Sequence, residues 1–186
     1  MSSIYRENLI RTVLENSVAK NWESAVLEWG IEDCLEDETC SESCVCGKFG
    51  LRYLYTIHNG RNGIALYPIG SCCIQKFNRN DLNEEISVRE GMFRLLHAVE
   101  DNRFIELTPK FFSRKLINEL YDRGAFDNEY NNFDGEEDYL FFLRMFGKRK
   151  KEDITDKMHR KIRAIICNSI RPYLNSELAE KVTRRK

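Results

Sequence analysis

Little in this sequence points to a membrane, a secretory route or a disordered chain. No apolar run approaches the roughly 18 residues that a membrane span needs. Residues 1–8 lack the basic-then-apolar layout of a signal peptide. The expectation is a cytoplasmic protein with no membrane contact. Three prolines and ten glycines in 186 residues exclude a low-complexity or collagen-like chain. Histidine is scarce too, with three residues, and neither a phosphate-binding loop nor a His-Glu-x-x-His motif is present. His97 and His159 have no serine, cysteine or carboxylate at catalytic spacing, so no catalytic residue is assigned. What is abundant is core material and charge: 42% hydrophobic, 11% aromatic and 32% charged residues. Such values describe a globular chain of one domain, or a small domain with a helical extension.

The net charge of −1 conceals a strong segregation. From residue 143 onward there are 14 Lys/Arg against 5 Asp/Glu, while the preceding chain has 15 against 25. Glu32, Asp33, Glu36, Asp37, Glu38 and Glu42 form one acidic stretch, and residues 127–138 carry six more acids. A basic end of this kind suits phosphate contacts, although acidic and basic parts that pack together produce the same pattern.

Seven cysteines are the most informative feature. Cys34, Cys40, Cys44, Cys46, Cys72 and Cys73 fall within forty residues, and Cys167 stands alone in a helical segment, where it is expected to face the core. An odd number without a secretion signal argues against a disulfide framework. Clustered thiols beside glycine turns point instead to a metal, with Zn2+ the default for thiolate ligands.

Periodicity places the elements around them. Leu9, Ile10, Val13, Leu14 and Val18 repeat at helical spacing over residues 4–19, and residues 22–28 can prolong that helix. Leu27, Trp29 and Ile31 alternate as in a half-buried strand, and the acidic stretch that follows reads as loop. Residues 51–58 and 64–69 read as two strands joined through Asn59-Gly60-Arg61-Asn62-Gly63, with Pro68 marking the second as an edge. Beyond residue 80 the chain reads as helical. Starts are expected at the capping box Ser87–Glu90, at Thr108-Pro109, near Asp134 and at Thr155, the last helix running toward Pro172. Gly124 is the expected C-cap of the second of these helices. The fold class expected is α+β. An N-terminal helix and strand (1–33) lead to a cysteine-rich zinc-hairpin module (34–80) and a helical region with a basic end (81–186).

Cys44-Val45-Cys46-Gly47, the hairpin, and Cys72-Cys73 at a helix start together make a treble-clef-like arrangement, because the hairpin brings its own ends together. Cys44-Val45-Cys46-Gly47-Lys48, Ile57-His58-Asn59 and Gly70-Ser71-Cys72-Cys73-Ile74-Gln75-Lys76-Phe77 resemble a poorly characterised cysteine module. It occurs in proteins of bacteriophages, mobile elements and large DNA viruses. The shared pattern is Cys-x-Cys-Gly, a hairpin with an Ile-x-Asn step, and Gly-Ser-x-Cys-Ile-x-Lys-Phe, covering residues 44–77. The resemblance implies zinc binding through Cys44, Cys46 and Cys73 in a phage or mobile-element setting. Related modules often have histidine where this chain has Lys48. The fourth ligand is therefore argued from the residues: Cys40 lies close in sequence, and His58 or Cys72 are alternatives.

The function expected is binding rather than catalysis. In the leading reading a zinc module scaffolds contacts to nucleic acid or a nucleoprotein complex. Lys148, Arg149, Lys150, Lys151, Lys157, Arg160, Lys161 and Arg163 would meet phosphates. Aromatic residues are sparse among them, which lowers the case for base stacking. The alternative is an anti-defence inhibitor, anti-CRISPR-like for instance, whose acidic segments enter a basic channel of a host effector. A metal-dependent nuclease, built from carboxylates brought together from distant segments, is the third.

Overall fold

The protein is described from a computed structural model covering residues 3–184, without the side chains of 151, 178 and 180–184. It is an α+β protein with a small antiparallel sheet and about 54% helix. Contacts divide it into two compact units, Met1–Arg89 and Glu90–Lys186. Among the described residues no helix is long and apolar enough to cross a membrane.

In the first unit, α1 (Ile4–Glu15) buries Leu9 and Val13. It stops short of the expected residue 19 because the next amides are claimed elsewhere: Val18 and Ala19 each donate at 2.8 Å to the carboxylate of Glu28. Helix α2 (Trp22–Ala25), capped by Asn21, passes through the helical turn Val26–Glu28 into β1 (Trp29–Glu36). The acidic stretch is thus partly strand, not loop as expected. A bulge at Glu32 breaks the alternation, so that Trp29 and Cys34 both turn inward and the period of two disappears from the sequence. A two-stranded ribbon, β2 (Glu42–Ser43) with β3 (Phe49–Leu51), holds the Cys44–Gly47 turn. Strands β4 (Tyr53–Asn59) and β5 (Ala65–Ile69) form the expected hairpin. The sheet order is β1-β4-β5, which leaves the Pro68 strand at an edge, as expected. Helix α3 (Ser71–Ile74) follows at once. Helix α4 (Asn80–Glu100) begins well before the expected start at Ser87; Leu82 and Ile86 extend its buried face toward the N-terminus.

A buried polar network anchors this unit. Trp29 Nε1 donates to Ser17 Oγ at 2.8 Å, and Ser17 Oγ donates to the Val13 carbonyl at 2.7 Å. Asn59, fully buried, donates to the Glu28 carboxylate at 2.8 Å while its own oxygen accepts the amides of Arg61 and Asn62. Burial opposes ionisation of Glu28, yet the Asn59 amide, the two backbone N–H groups and Arg61 hold its carboxyl below the ordinary range.

In the second unit α4 ends on a left-handed Asn102, where Arg103 and Asn102 return their amides to Ala98 and Val99. Helix α5 (Arg114–Asp122) starts at Ser113, whose hydroxyl accepts from Leu116, and not at Thr108-Pro109. The Thr108 carbonyl instead accepts from Phe111 and Phe112 in a separate turn. Gly124, at φ +76°, closes α5 as expected. Helix α6 (Glu136–Phe146) follows near its expected start. Helix α7 (Asp156–Ile165) is capped by Thr155 and runs through a π-turn, Ile166–Ile170, into α8 (Arg171–Arg184). The helix therefore continues past Pro172. Arg171 reaches back to the Ile166 carbonyl, and the widened turn accommodates the proline that follows, which has no N–H to offer. Phe112, Phe126 and Phe142 meet edge to face with centroids 5.3 and 5.6 Å apart, and Tyr139 stacks on Tyr121.

Candidate metal centre

The Cys44-Val45-Cys46-Gly47 turn is shaped by its backbone. Cys44 donates to the Lys48 carbonyl at 2.9 Å, Gly47 donates to the Cys44 carbonyl at 2.7 Å, and Gly47 sits at φ +90°, a conformation open to glycine. Val45 then donates to the Pro68 carbonyl of β5 at 2.9 Å, docking the turn on the sheet edge. From α1, the Asn8 side chain donates to the Cys46 carbonyl at 3.2 Å. Gly70 precedes α3 and places Cys73 in its first turn; a Cβ at Gly70 would stand 2.8 Å from Leu51 Cδ2.

These constraints bring Cys44, Cys46 and Cys73 together. All three are buried, and their sulfurs lie within 4.8 Å of one another. Cys44 and Cys73 are separated by 3.6 Å, Cys73 and Cys46 by 3.5 Å. Thiolates on a tetrahedral ion with bonds near 2.3 Å are spaced by about 3.8 Å, so the group fits such an ion with small adjustments. The Cys73 thiol, with the backbone N–H groups of Cys46 and Gly70, stabilises the Cys44 thiolate and lowers its pKa to about 5 despite burial. The same hydrogen bond to Cys44, reinforced by burial and the neighbouring sulfurs, pushes Cys73 up. Ready loss of a proton at Cys44 and N–H donors aimed at its sulfur are the properties of a metal-binding thiol. The three cysteines can hold a metal ion.

The fourth-ligand candidates stand outside this group. Cys40 occupies a tight turn organised by Asp37, whose carboxylate accepts from both Thr39 and Ser41 and is held down to about 2 by the Thr39 hydroxyl first. Cys40 sits there at φ +51°, with its sulfur toward the Asp37 carbonyl. Cys72 is exposed because adjacent positions on a helical turn diverge, and His58 is exposed on β4 between buried Ile57 and Asn59. Cys34 is buried in β1 but belongs to no group of three possible ligands. The second-unit cysteine, Cys167, is exposed in the π-turn and not core-facing as expected. Among the described residues the thiols are the only group of three or more His, Cys, Asp or Glu side chains able to hold a metal.

The basic residues divide by environment. Arg149, Lys150, Lys157, Arg160, Lys161 and Arg163 are exposed, and Lys157, Arg160 and Lys161 share one face of α7. Lys148 is half-buried and donates to the Asp153 carbonyl at 2.6 Å. Lys161 pairs with Asp138 at 2.9 Å and lies over the Phe141 ring. The side chain of Lys151 lies outside the described residues. No protein-family description, curated protein or solved structure matches this chain.

Proposed function

We propose that the protein is a zinc-stabilised binding protein in which Cys44, Cys46 and Cys73 hold Zn2+ in a treble-clef-like frame, and in which the basic face of α7 engages nucleic acid. The thiol spacing and the N–H groups on Cys44 support the metal reading. So does the resemblance of residues 44–77 to the phage and mobile-element module. Three cysteines leave one position of a tetrahedral ion to a further donor. The ion's contribution is structural: it ties the Cys44–Gly47 turn to the start of α3.

The observation that carries the binding reading is the exposure of Lys157 and Arg160 on α7, with Arg149 and Lys150 exposed just before it. The acidic stretches offer less to an inhibitor. Glu36 pairs with Arg52 at 3.0 Å, and Asp37 is consumed by its own turn. Asp127 accepts the Gly135 amide, and Asp138 accepts from Lys161 and Asn131. Carboxylates committed to local structure are poorly placed to imitate a phosphate backbone.

The experiment is a salt titration of duplex and single-stranded nucleic-acid binding. Replacing Arg149, Lys150, Lys157 and Arg160 together by Gln should reduce the log–log slope by roughly three to four units, close to one per lost phosphate contact. Retention of the full slope with the fold intact would remove α7 as the contact surface. Capture of a nuclease-resistant protein partner that is lost on reversing Asp37-Glu38 or Glu136-Glu137 would favour the inhibitor reading instead.

A further inference from the structure

We infer that the groove beside α7 is a receptor for an unpaired base of single-stranded nucleic acid, with Phe104 as its stacking platform; the inference rests on the nucleic-acid reading above and adds the strandedness and the base contact. The aromatic surface that α7 lacks in sequence is supplied by tertiary packing. The segment after α4 runs alongside α7, and together they enclose a groove of about 440 Å³, within the range of small-ligand sites. Buried Ile105, Ile154, Ile162 and Ile166 line it. Phe104 is 60% exposed at this groove, and the Arg163 guanidinium lies 6.0 Å from its ring centroid.

The Phe104 backbone is fixed from both sides of the residue before it. The helix closure at Asn102 and Arg103 sets its departure from α4, and Arg171 donates to the Arg103 carbonyl at 3.1 Å. An exposed, backbone-anchored aromatic is placed to receive a flat partner with little ordering cost. The charge around it selects which partner. Arg163 and His159 line the groove, and Arg160 lies one turn earlier on α7. An apolar floor with a cationic rim complements a nucleotide: the base enters over the isoleucines and the ring, and its phosphate remains at the arginines. Glu106, which also lines the groove, offers an acceptor for an exocyclic amine. A duplex keeps its bases stacked and cannot use this groove, so single strands are preferred.

The test is binding of a short oligonucleotide carrying 2-aminopurine, compared with a duplex of the same length. The unaltered protein should bind the single strand more tightly and change the 2-aminopurine fluorescence. Phe104→Ala should weaken single-strand binding roughly 5- to 150-fold, the range for loss of one base–aromatic stack. Its salt slope should stay unchanged, because the ring meets no phosphate. Phe104→Trp should retain affinity, and Tyr130→Ala, at an exposed aromatic outside this groove, should bind like the unaltered protein. Wild-type-like single-strand binding by Phe104→Ala would overturn the inference while leaving the phosphate contacts of α7 standing. Occupation of the groove by an acidic apolar peptide, with oligonucleotide binding indifferent to Phe104, would overturn it in favour of a protein segment. Absence of any nucleic-acid binding by the unaltered protein at low salt would overturn both this inference and the reading beneath it.

Discussion

The two units reach order by different chemistry. Residues 1–89 add to an apolar core, with Leu9, Tyr55, Ile57, Ile69 and Ile74 fully buried, a few concentrated groups: three buried thiols, a buried carboxylate with its amide partner, and a tryptophan tied to Ser17. Residues 90–186 distribute their cohesion over aliphatic and aromatic side chains, with Phe112, Phe126 and Phe142 interlocked and Leu116, Ile117 and Leu120 buried beside them on α5. Where cohesion is concentrated, loss of one group removes several constraints together. Where it is distributed, each truncation costs its own transfer and cavity energy.

The largest effect should therefore come from the thiols. Purified protein is expected to contain about one zinc per chain, by the stoichiometry of a single structural site. Cys46→Ser and Cys73→Ser should each lose the metal and unfold the first unit, because metal affinity and folding are coupled. Elemental analysis with circular dichroism checks this, and full metal retention in both variants would dismiss the centre. Acid should act in the same direction. In metal-free protein Cys44 has a folded pKa of about 5, below the roughly 8.5 of a free thiol. The unfolded chain thus binds more protons between these values, and the contribution of Cys44 to stability is complete above about pH 8.5. It should decline as pH falls toward 5 and vanish below it. Cys73, whose pKa is raised, withdraws its own contribution only above about pH 8.5, so metal-free stability should be greatest near that value. Denaturant midpoints across pH 4.5–9, with and without chelator, would show that slope, and Cys44→Ser should flatten it.

An intermediate effect is expected from the distributed core. Phe142 is fully buried and meets two other rings, so Phe142→Ala should cost about 3–5 kcal/mol. Chemical denaturation measures the loss, and the metal content should stay constant. A simultaneous loss of zinc would mean that the two modes of stabilisation are not separable, contrary to the contrast drawn above.

That contrast also governs what could be read from the amino acids alone. The distributed unit was legible wherever periodicity and caps agreed: Thr155 and Gly124 stand where their chemistry places them, and α6 begins within two residues of Asp134. It misled where a local signal had a stronger competitor. Ser113 caps α5 in place of Thr108, and the π-turn carries the last helix through Pro172. In the concentrated unit the hairpin and the trio Cys44, Cys46 and Cys73 were legible from turn chemistry and resemblance. The partner of Glu28 was not, because nothing in local spacing reveals that Asn59, 31 residues away, supplies its buried amide. Cys40 stands outside the trio for a related reason. Its closeness in sequence to Cys44 is real, but the turn built by Asp37 fixes its direction first. Phe104 was invisible as a companion of α7 because the two are joined only by packing.

The smallest expected effect belongs to a cysteine outside both schemes. Cys167 has the same thiol as Cys44, Cys46 and Cys73 but is exposed on the π-turn, within the second unit and outside the trio. An exposed side chain with no buried contacts to lose generally changes stability by no more than about 0.5 kcal/mol on substitution. Cys167→Ser is nearly isosteric and keeps a polar tip in water, so neither the unfolding midpoint nor the zinc content should move. Thiol labelling sharpens the comparison: in the native metal-loaded protein Cys167 and Cys72 should react with a maleimide promptly, whereas Cys44, Cys46 and Cys73 should react only after chelation. Zinc loss in Cys167→Ser would show that this thiol matters for metal binding and would dismiss the assignment of the metal to the trio's own unit. Unchanged zinc with prompt labelling would confine the metal chemistry to the first unit and leave the second unit to its apolar core.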